Sequence, residues 1–311
     1  MANRPGDAGK TSPTEDLKSK VAKWLAQEGY PTEFQTAAVF RQHHFRVFQG
    51  YHVRENESET PREIDVLAMA DAPHEEYPRI RCEFVVECKW SRDKPWVVFA
   101  SRSGKLGPAA CIAQTISSSL GSAILWNLAH ERNCQSMALF HTPDVPGFGG
   151  RQAFSKGNDL FYSSVSSVTS ACTQLVSRYD RERRRGVMPE WGVVAFPIVI
   201  IDGELFQASF NEDSGEMEIN PADSVRCHWR GARSWNLHAT IDFVRLAALN
   251  GFLDVRSAEV YKLLKLMDEA ARAIKKCSET GSLESVKAMR ASGGLRNLHP
   301  LLRELVPALD E

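Results

Sequence analysis

Hydrophobic and polar positions alternate with changing period along the chain, and the period predicts the elements. Ser12-Pro13-Thr14-Glu15 is a capping box with proline at the first helical position. Leu17, Val21, Trp24 and Leu25 follow at helical spacing, and Gly29 with Pro31 ends this first helix. The period then shifts to two. Phe45–Val53 is aromatic and β-branched, and Arg62–Met69 alternates Ile64, Val66 and Ala68 against Glu63, Asp65 and Leu67. Arg81–Trp90 is the clearest strand, with Phe84, Val86, Cys88 and Trp90 on one face and Glu83, Val85, Glu87 and Lys89 on the other. Polar turns at Asn56–Pro61 and Asp71–Pro78 separate the three strands.

Beyond them the pattern predicts a helix over Ala109–Glu131, a Gly/Pro-rich loop at Pro143–Gly150 and a helix over Asp159–Arg184 capped by Asn158. Asp202-Gly203 between the apolar runs Val193–Ile201 and Glu204–Phe210 reads as a hairpin. A strand at Ser224–Trp229 is followed by helices near Leu237–Asn250, Ser257–Lys276, Ser282–Ala291 and Arg296–Ala308. The expectation is a loose tail over residues 1–11, an α/β domain with a mixed sheet over 12–235, and a helical C-terminal extension over 236–311.

Composition narrows the class. The 311 residues are 43% hydrophobic and 25% charged, an ordinary globular mix that excludes a disordered chain, a collagen or a coiled-coil rod. Lys+Arg of 38 against Asp+Glu of 39 gives a net charge of -1, so a nucleic-acid partner must be held by local patches. Seven cysteines without a C-x-x-C pair argue against a disulfide framework or a zinc ribbon and point to a reducing, cytoplasmic compartment. The polar N-terminus has no apolar signal-peptide core, and the apolar run near Val193–Ile201 is too short for a membrane span, so no membrane partner is expected.

The chemistry concentrates at Asp65 and at Glu87-Cys88-Lys89 on the next strand. Glu87 and Lys89 are two apart and share a face. Asp65, 22 residues before Glu87, falls on the adjacent strand of a presumed antiparallel pair. Two carboxylates and the backbone carbonyl of Cys88 suit a hard divalent cation such as Mg²⁺, which keeps several waters. Such a cation would acidify its water and stabilise charge on a phosphoryl group, with Lys89 orienting the water or neutralising the phosphate. The plainer reading is the solvated face of an edge strand with Glu87 and Lys89 paired. Cys88 itself points to the apolar face and reads as a small hydrophobe.

Arg62-Glu63-Ile64-Asp65 followed by Glu87-Cys88-Lys89, after a helix ending Gly29-Tyr30, resembles the PD-(D/E)xK nuclease superfamily of restriction-endonuclease-like proteins. The resemblance covers about Ser12–Phe210, and Ile64 replaces the motif's proline. It implies an αβββαβ core and Mg²⁺- or Mn²⁺-dependent hydrolysis of DNA phosphodiester bonds, read here as endonucleolytic and serving restriction, defence or repair. Asp65, Glu87 and Lys89 match its catalytic Asp, Glu and Lys. The acidic residue that the family often carries early in its first helix would be Asp16 or Glu15. The helix after the third strand is Ala109–Glu131 or Asp159–Arg184, and the fourth core strand is Gln135–Thr142 or, preferably, Val193–Ile201. Many enzymes of this resemblance cut both strands as homodimers, and the C-terminal helices would pack on the core or bind a protein partner. The alternative is a catalytically inactive module of the same fold that binds nucleic acid or a protein.

Secondary signals are weaker. Arg178, Arg184 and Arg185, in a cluster with Arg181 and Arg183, read as phosphate contacts or as dipole-favoured cations at a helix end. Arg226, His228, Trp229, Arg230, Arg233 and Trp235 interleave basic and aromatic groups, as nucleic-acid binding would, but such tryptophans are more often packing. His43-His44 lacks ligand partners at metal spacing, and Ser101-Arg102-Ser103-Gly104-Lys105 lacks the first glycine of a phosphate-binding loop.

Overall fold

The computed structural model describes residues 13–53, 62–73, 78–103, 105–157, 160–184, 186, 190–230 and 238–280. Its helices are α1 (Pro13–Gln27), α2 (Tyr30–Gln42), α3 (Pro108–Ala113), α4 (Ser119–Leu128), α5 (Arg132–Gln135), α6 (Leu160–Arg184) and α7 (Leu249–Thr280). Its strands are β1 (Arg46–Val53), β2 (Arg62–Asp71), β3 (Arg79–Ala100), β4 (Gly147–Gln152), β5 (Trp191–Asn211), β6 (Glu216–Pro221), β7 (Ser224–Arg230) and β8 (His238–Arg245). The mixed α/β class expected from the sequence holds.

All eight strands form one sheet in the order β1-β2-β3-β4-β7-β8-β5-β6, with β3 also paired to β5. β1, β2 and β3 form an antiparallel meander, and β5 runs parallel to β3 on its other edge. The extra pairing closes β3, β4, β7, β8 and β5 into a five-stranded ring. That closure is a departure from the αβββαβ core implied by the resemblance, since a closed five-strand ring is not a restriction-endonuclease fold.

Two apolar layers hold the sheet. One joins Ala37 and Phe40 of α2, Leu120 and Ile124 of α4, and Leu253, Leu263 and Met267 of α7 to Phe84, Val86 and Ile198. The other joins Phe161, Val165, Val168 and Leu175 of α6 to Trp96, Val199, Ile201 and Phe243. β5 is buried at every position from Trp191 to Ile201, as expected of a strand lying between parallel neighbours with helices on both faces.

Several expected boundaries move. Pro31 does not end the helical region but opens α2, because proline lacks an N–H that the first helical turn would leave unpaired anyway. The single helix expected over Ala109–Glu131 breaks at Gln114–Ser118, where Ser117 bridges Val194 and Ser118 caps α4 by accepting from the Gly121 amide at 3.3 Å. Part of the loop expected at Pro143–Gly150 is β4, and Gln135–Thr142 holds short helical turns instead of a strand. The preferred fourth strand, Val193–Ile201, lies in β5, and Ser224–Trp229 lies in β7.

No hairpin forms at Asp202-Gly203. β5 continues to Asn211 and turns back into β6 beyond Asn211, with Gly215 at φ 72°. β3 is equally long, and its pairing with β5 carries on past the irregularity between Ser91 and Trp96. Within the helix expected over Leu237–Asn250, His238–Arg245 is instead β8, which pairs in parallel with β5. Within the extension expected over 236–311, β8 completes the ring and α7 packs on the core. The tail at 1–11 and the helices expected at Ser282–Ala291 and Arg296–Ala308 lie outside the described residues. Cys82, Cys88, Cys111, Cys134, Cys172 and Cys227 are free thiols. Among the described residues, no helix is long and apolar enough to cross a membrane.

Candidate acid–lysine site

The β2–β3 ladder runs in register from Asp71↔Arg81 to Val66↔Val86 and stops there. The next residues outward are Asp65 and Glu87. Where the ladder ends, the Cys88 amide is free of a β2 carbonyl and donates instead to Asp65 Oδ2 at 2.7 Å. The period of two then turns Glu87 and Lys89 to the α6 side of β3 and Cys88 to the α2 side. Lys89 Nζ donates to Glu87 Oε1 at 2.6 Å, and Ser167 Oγ of α6 donates to Glu87 Oε2 at 3.0 Å. Asp65, Glu87 and Lys89 thus come together on half-buried positions.

A fourth member was missed. Glu33, in the first turn of α2, shares electrostatic coupling with Glu63, Glu87 and Lys89. Asp16 does not fill that role, because it is exposed on α1 and paired with Lys20 at 2.7 Å. Glu15 sits beside it on the same exposed helix. The signal for Glu33 was present: Gly29, Pro31 and Glu33 mark a helix N-terminus once Pro31 is read as a start.

The electrostatics follow from burial and charge count. Burial, then the Glu87 and Glu33 charges, push the Asp65 carboxyl up to about 7, against the opposing pull of the Cys88 amide and Lys89. Burial and the charges of Glu63 and Glu87 raise Glu33 as well. For Lys89, burial works downward, but the Glu87 charge and hydrogen bond, with Asp65 behind, outweigh it and hold the pKa above the usual lysine value. Lys89 is therefore a fixed cation and not a proton acceptor. The Cys88 thiol is pushed well above its ordinary value by burial and by Asp65, and it lies 3.7 Å from Thr36 Oγ1, so it is an unreactive packing group.

The donor set of carboxylate oxygens around one lysine suits a hard divalent cation, which would supply the positive charge the acids lack. Among the described residues, no group of three or more His, Cys, Asp or Glu side chains stands in metal-holding geometry. A cation here would rest on Asp65, Glu87 and the Cys88 carbonyl, with water completing its shell.

The expected phosphate contacts fare differently. Arg178 is engaged by Glu182 at 2.7 Å and by the Tyr51 hydroxyl at 2.8 Å, so its guanidinium serves the α6–β1 contact. Arg183 pairs with Glu190, while Arg184 is exposed at the end of α6. Arg185 and the Arg230 side chain lie outside the described residues. The basic–aromatic run of β7 is interior: Arg226 is buried on Asp242, and Trp229 packs edge-on against Phe161 and Tyr162. Comparison with known protein families, with curated proteins and with solved structures found no match.

Proposed function

We propose that this chain is a divalent-metal-dependent nuclease that hydrolyses DNA phosphodiester bonds. The observation that carries the reading is the meeting of Asp65, Glu87 and Lys89 at the point where the β2–β3 ladder ends. The antiparallel β1-β2-β3 meander, with β5 parallel to β3 on its other edge, supports the reading by giving these residues one strand end to share. Asp65, Glu87 and the Cys88 carbonyl would hold Mg²⁺ or Mn²⁺, and Glu33 would add negative charge beside them. The bound cation would lower the pKa of a water and offset charge on the phosphate. Lys89, protonated and anchored to Glu87, would orient that water or the scissile phosphate.

A second reading has its own support. Both oxygens of Glu87 are already engaged, one by Lys89 and one by Ser167, as a structural ion pair would be. In that case the chain is a binding module of the same fold without catalysis.

Incubation of supercoiled plasmid and of single-stranded DNA with Mg²⁺ or Mn²⁺ separates the two readings. Metal-dependent cleavage by the wild type, lost in Lys89→Ala, is the result expected. Two folded proteins that leave both substrates intact would move the assignment to the binding module.

A further inference from the structure

We propose that β6 is a docking edge for a basic, extended segment of a partner protein, which joins the sheet as a further strand. This surface lies outside the acid–lysine site, and the inference does not depend on the nuclease reading.

β6 ends the sheet. It pairs with β5 from Phe206↔Pro221 to Asn211↔Glu216, and among the described residues no strand covers its other edge. Every residue of β6 is exposed. Its outer row of backbone groups is therefore an open template for another chain. The period of two puts Met217 and Ile219 on one face and Glu216 and Glu218 on the other. Met217 stands opposite Phe210, and Ile219 opposite Ala208, which in turn faces Phe99 of β3. Phe210 is 59% exposed, Met217 56% and Ile219 62%. The apolar face continues to Phe148 of β4, whose ring lies 6.4 Å from that of Phe99, and it borders a cleft of about 1270 Å³. Acids alone would keep such an edge from pairing with its own kind. The apolar row does not serve that purpose, and it leaves surface in water that an added strand would cover.

Charge identifies the occupant. From Asp202 to Asp223 the sequence has seven acidic residues and no lysine, arginine or histidine. Three of the acids are engaged, Asp202 by Thr32, and Glu204 and Asp223 by Arg245. The other four, Glu212, Asp213, Glu216 and Glu218, sit on the β5–β6 hairpin and lie in no ion pair among the described residues. Glu218 accepts from the Asn211 amide at 2.6 Å, which holds it beside the edge. Arg102 alone of the described lysines and arginines lines the cleft, against Glu212, Asp213 and Glu218. A phosphate backbone, or a second copy of β6, would bring negative charge against negative charge. A strand with lysine or arginine at alternate positions instead meets Glu216 and Glu218 across the edge, and its apolar residues extend the Met217–Ile219 row. The partner is thus a segment of alternating basic and apolar residues, held by main-chain hydrogen bonds and selected by charge.

The test is fluorescence anisotropy of the full chain, in EDTA, with three labelled, end-capped octapeptides: valine alternating with lysine, valine alternating with glutamate, and the lysine composition in two blocks. The alternating lysine peptide is expected to bind at least about tenfold more tightly than either of the others. The double variant Glu216→Lys, Glu218→Lys should lose about tenfold for that peptide and gain the glutamate peptide instead. Ile219→Ser should weaken binding by about threefold or more. Methyl groups on alternate peptide nitrogens should abolish binding in one phase, where they face β6, and spare it in the other. Hydrogen exchange over Glu216–Pro221 should slow when the peptide is bound, and the thermal midpoint reports whether each variant is folded. Equal affinity for the lysine and glutamate peptides would overturn the proposal, and so would equal affinity for alternating and block order. Undiminished binding in both methylated phases, or no binding by any peptide, would do the same. So would a wild type that self-associates in size-exclusion chromatography and an Ile219→Ser variant that does not, since the edge would then belong to a second copy. Plasmid cleavage, present or absent, bears on the nuclease reading and leaves this inference untouched.

Discussion

The amide of Cys88 donates to Asp65 Oδ2 at 2.7 Å across the open end of the β2–β3 ladder. One backbone bond thus sets the distance between the two halves of the motif, because Glu87 and Lys89 flank the residue whose N–H holds Asp65. Asp65→Asn keeps a carbonyl for that N–H and removes the charge. It should leave the fold intact and reduce metal-dependent cleavage by on the order of 10²–10³-fold, as loss of one electrostatic contact at a reacting centre does. Mn²⁺ titration of the thermal midpoint offers a second readout: the wild type should be stabilised and the variant should not. A variant that cuts as well as wild type would remove Asp65 from the site.

Two carboxyl groups give the protein a distinctive pH profile. Burial pushes both Asp65 and Glu83 up to about 7, with Glu83 closed in beneath Tyr179 and Arg81. An acid whose native pKa exceeds its unfolded value binds more protons folded than unfolded. The native state is therefore favoured as pH falls from about 7 to 4, and the penalty is complete above 7. At about 1.4 kcal/mol per pH unit it reaches the order of 4 kcal/mol for each group. The melting temperature in EDTA should rise as pH drops from 8 to 5.5, and Asp65→Asn should flatten part of that slope. Added Mn²⁺ should flatten the same part in the wild type only. A melting temperature that falls throughout this range would contradict the burial argument.

Gly203 explains why a strong hairpin signal failed. In β5 it faces Ser91 of β3, and a Cβ at 203 would collide with the Ser91 carbonyl oxygen. The glycine is there for close strand approach beside the irregularity at Ser91/Trp96, not for a turn. Gly203→Ala should destabilise the protein by about 1–3 kcal/mol, the usual cost of overpacking, read as a lowered urea midpoint. Unchanged stability would mean that β3 and β5 separate more easily here than their register implies.

The same contrast governs what was legible in the residues. Asp65, Glu87 and Lys89 could be placed because strand period and chain separation are local properties. The ring could not: β4 meets β7 at Gly147↔Cys227 and β8 meets β5 at Ile198–Ile201, pairings between distant segments that no local pattern encodes. β8 was mistaken for helix because Ile241, Val244 and Ala248 also fit helical spacing, and a short apolar run is ambiguous by period alone. α2 was missed because Pro31 signals a stop and a start equally well, and only the packing of Ala37 and Phe40 decides.

A buried ion pair ties the ring to the helical layer. Arg226 of β7 donates to both oxygens of Asp242 on β8, at 2.8 and 2.6 Å, and its third nitrogen donates to the carbonyls of Ala138, Leu139 and His141. Removing one partner strands a charge in the interior. Arg226→Met should cost about 3–5 kcal/mol in chemical denaturation. Pairing it with Asp242→Leu should recover part of that loss, and a double variant no better than the single would show that the carbonyl contacts dominate.

Glu33 offers the sharpest separation of the two acids' roles in the proposed site. It is coupled to Glu87 and Lys89 from α2, whereas Asp16 is spent on Lys20 at the exposed face of α1. If Glu33 holds charge next to the cation without carrying the chemistry, Glu33→Gln should raise the Mg²⁺ concentration needed for half-maximal cleavage by about 10–100-fold, as outer partners of a metal do. Cleavage at saturating metal should change much less. Asp16→Asn, which breaks only a solvent-exposed ion pair, should alter neither quantity. A metal dependence that moves with Asp16 and not with Glu33 would place the helix acid on α1, and α2 would then serve the site only through its packing.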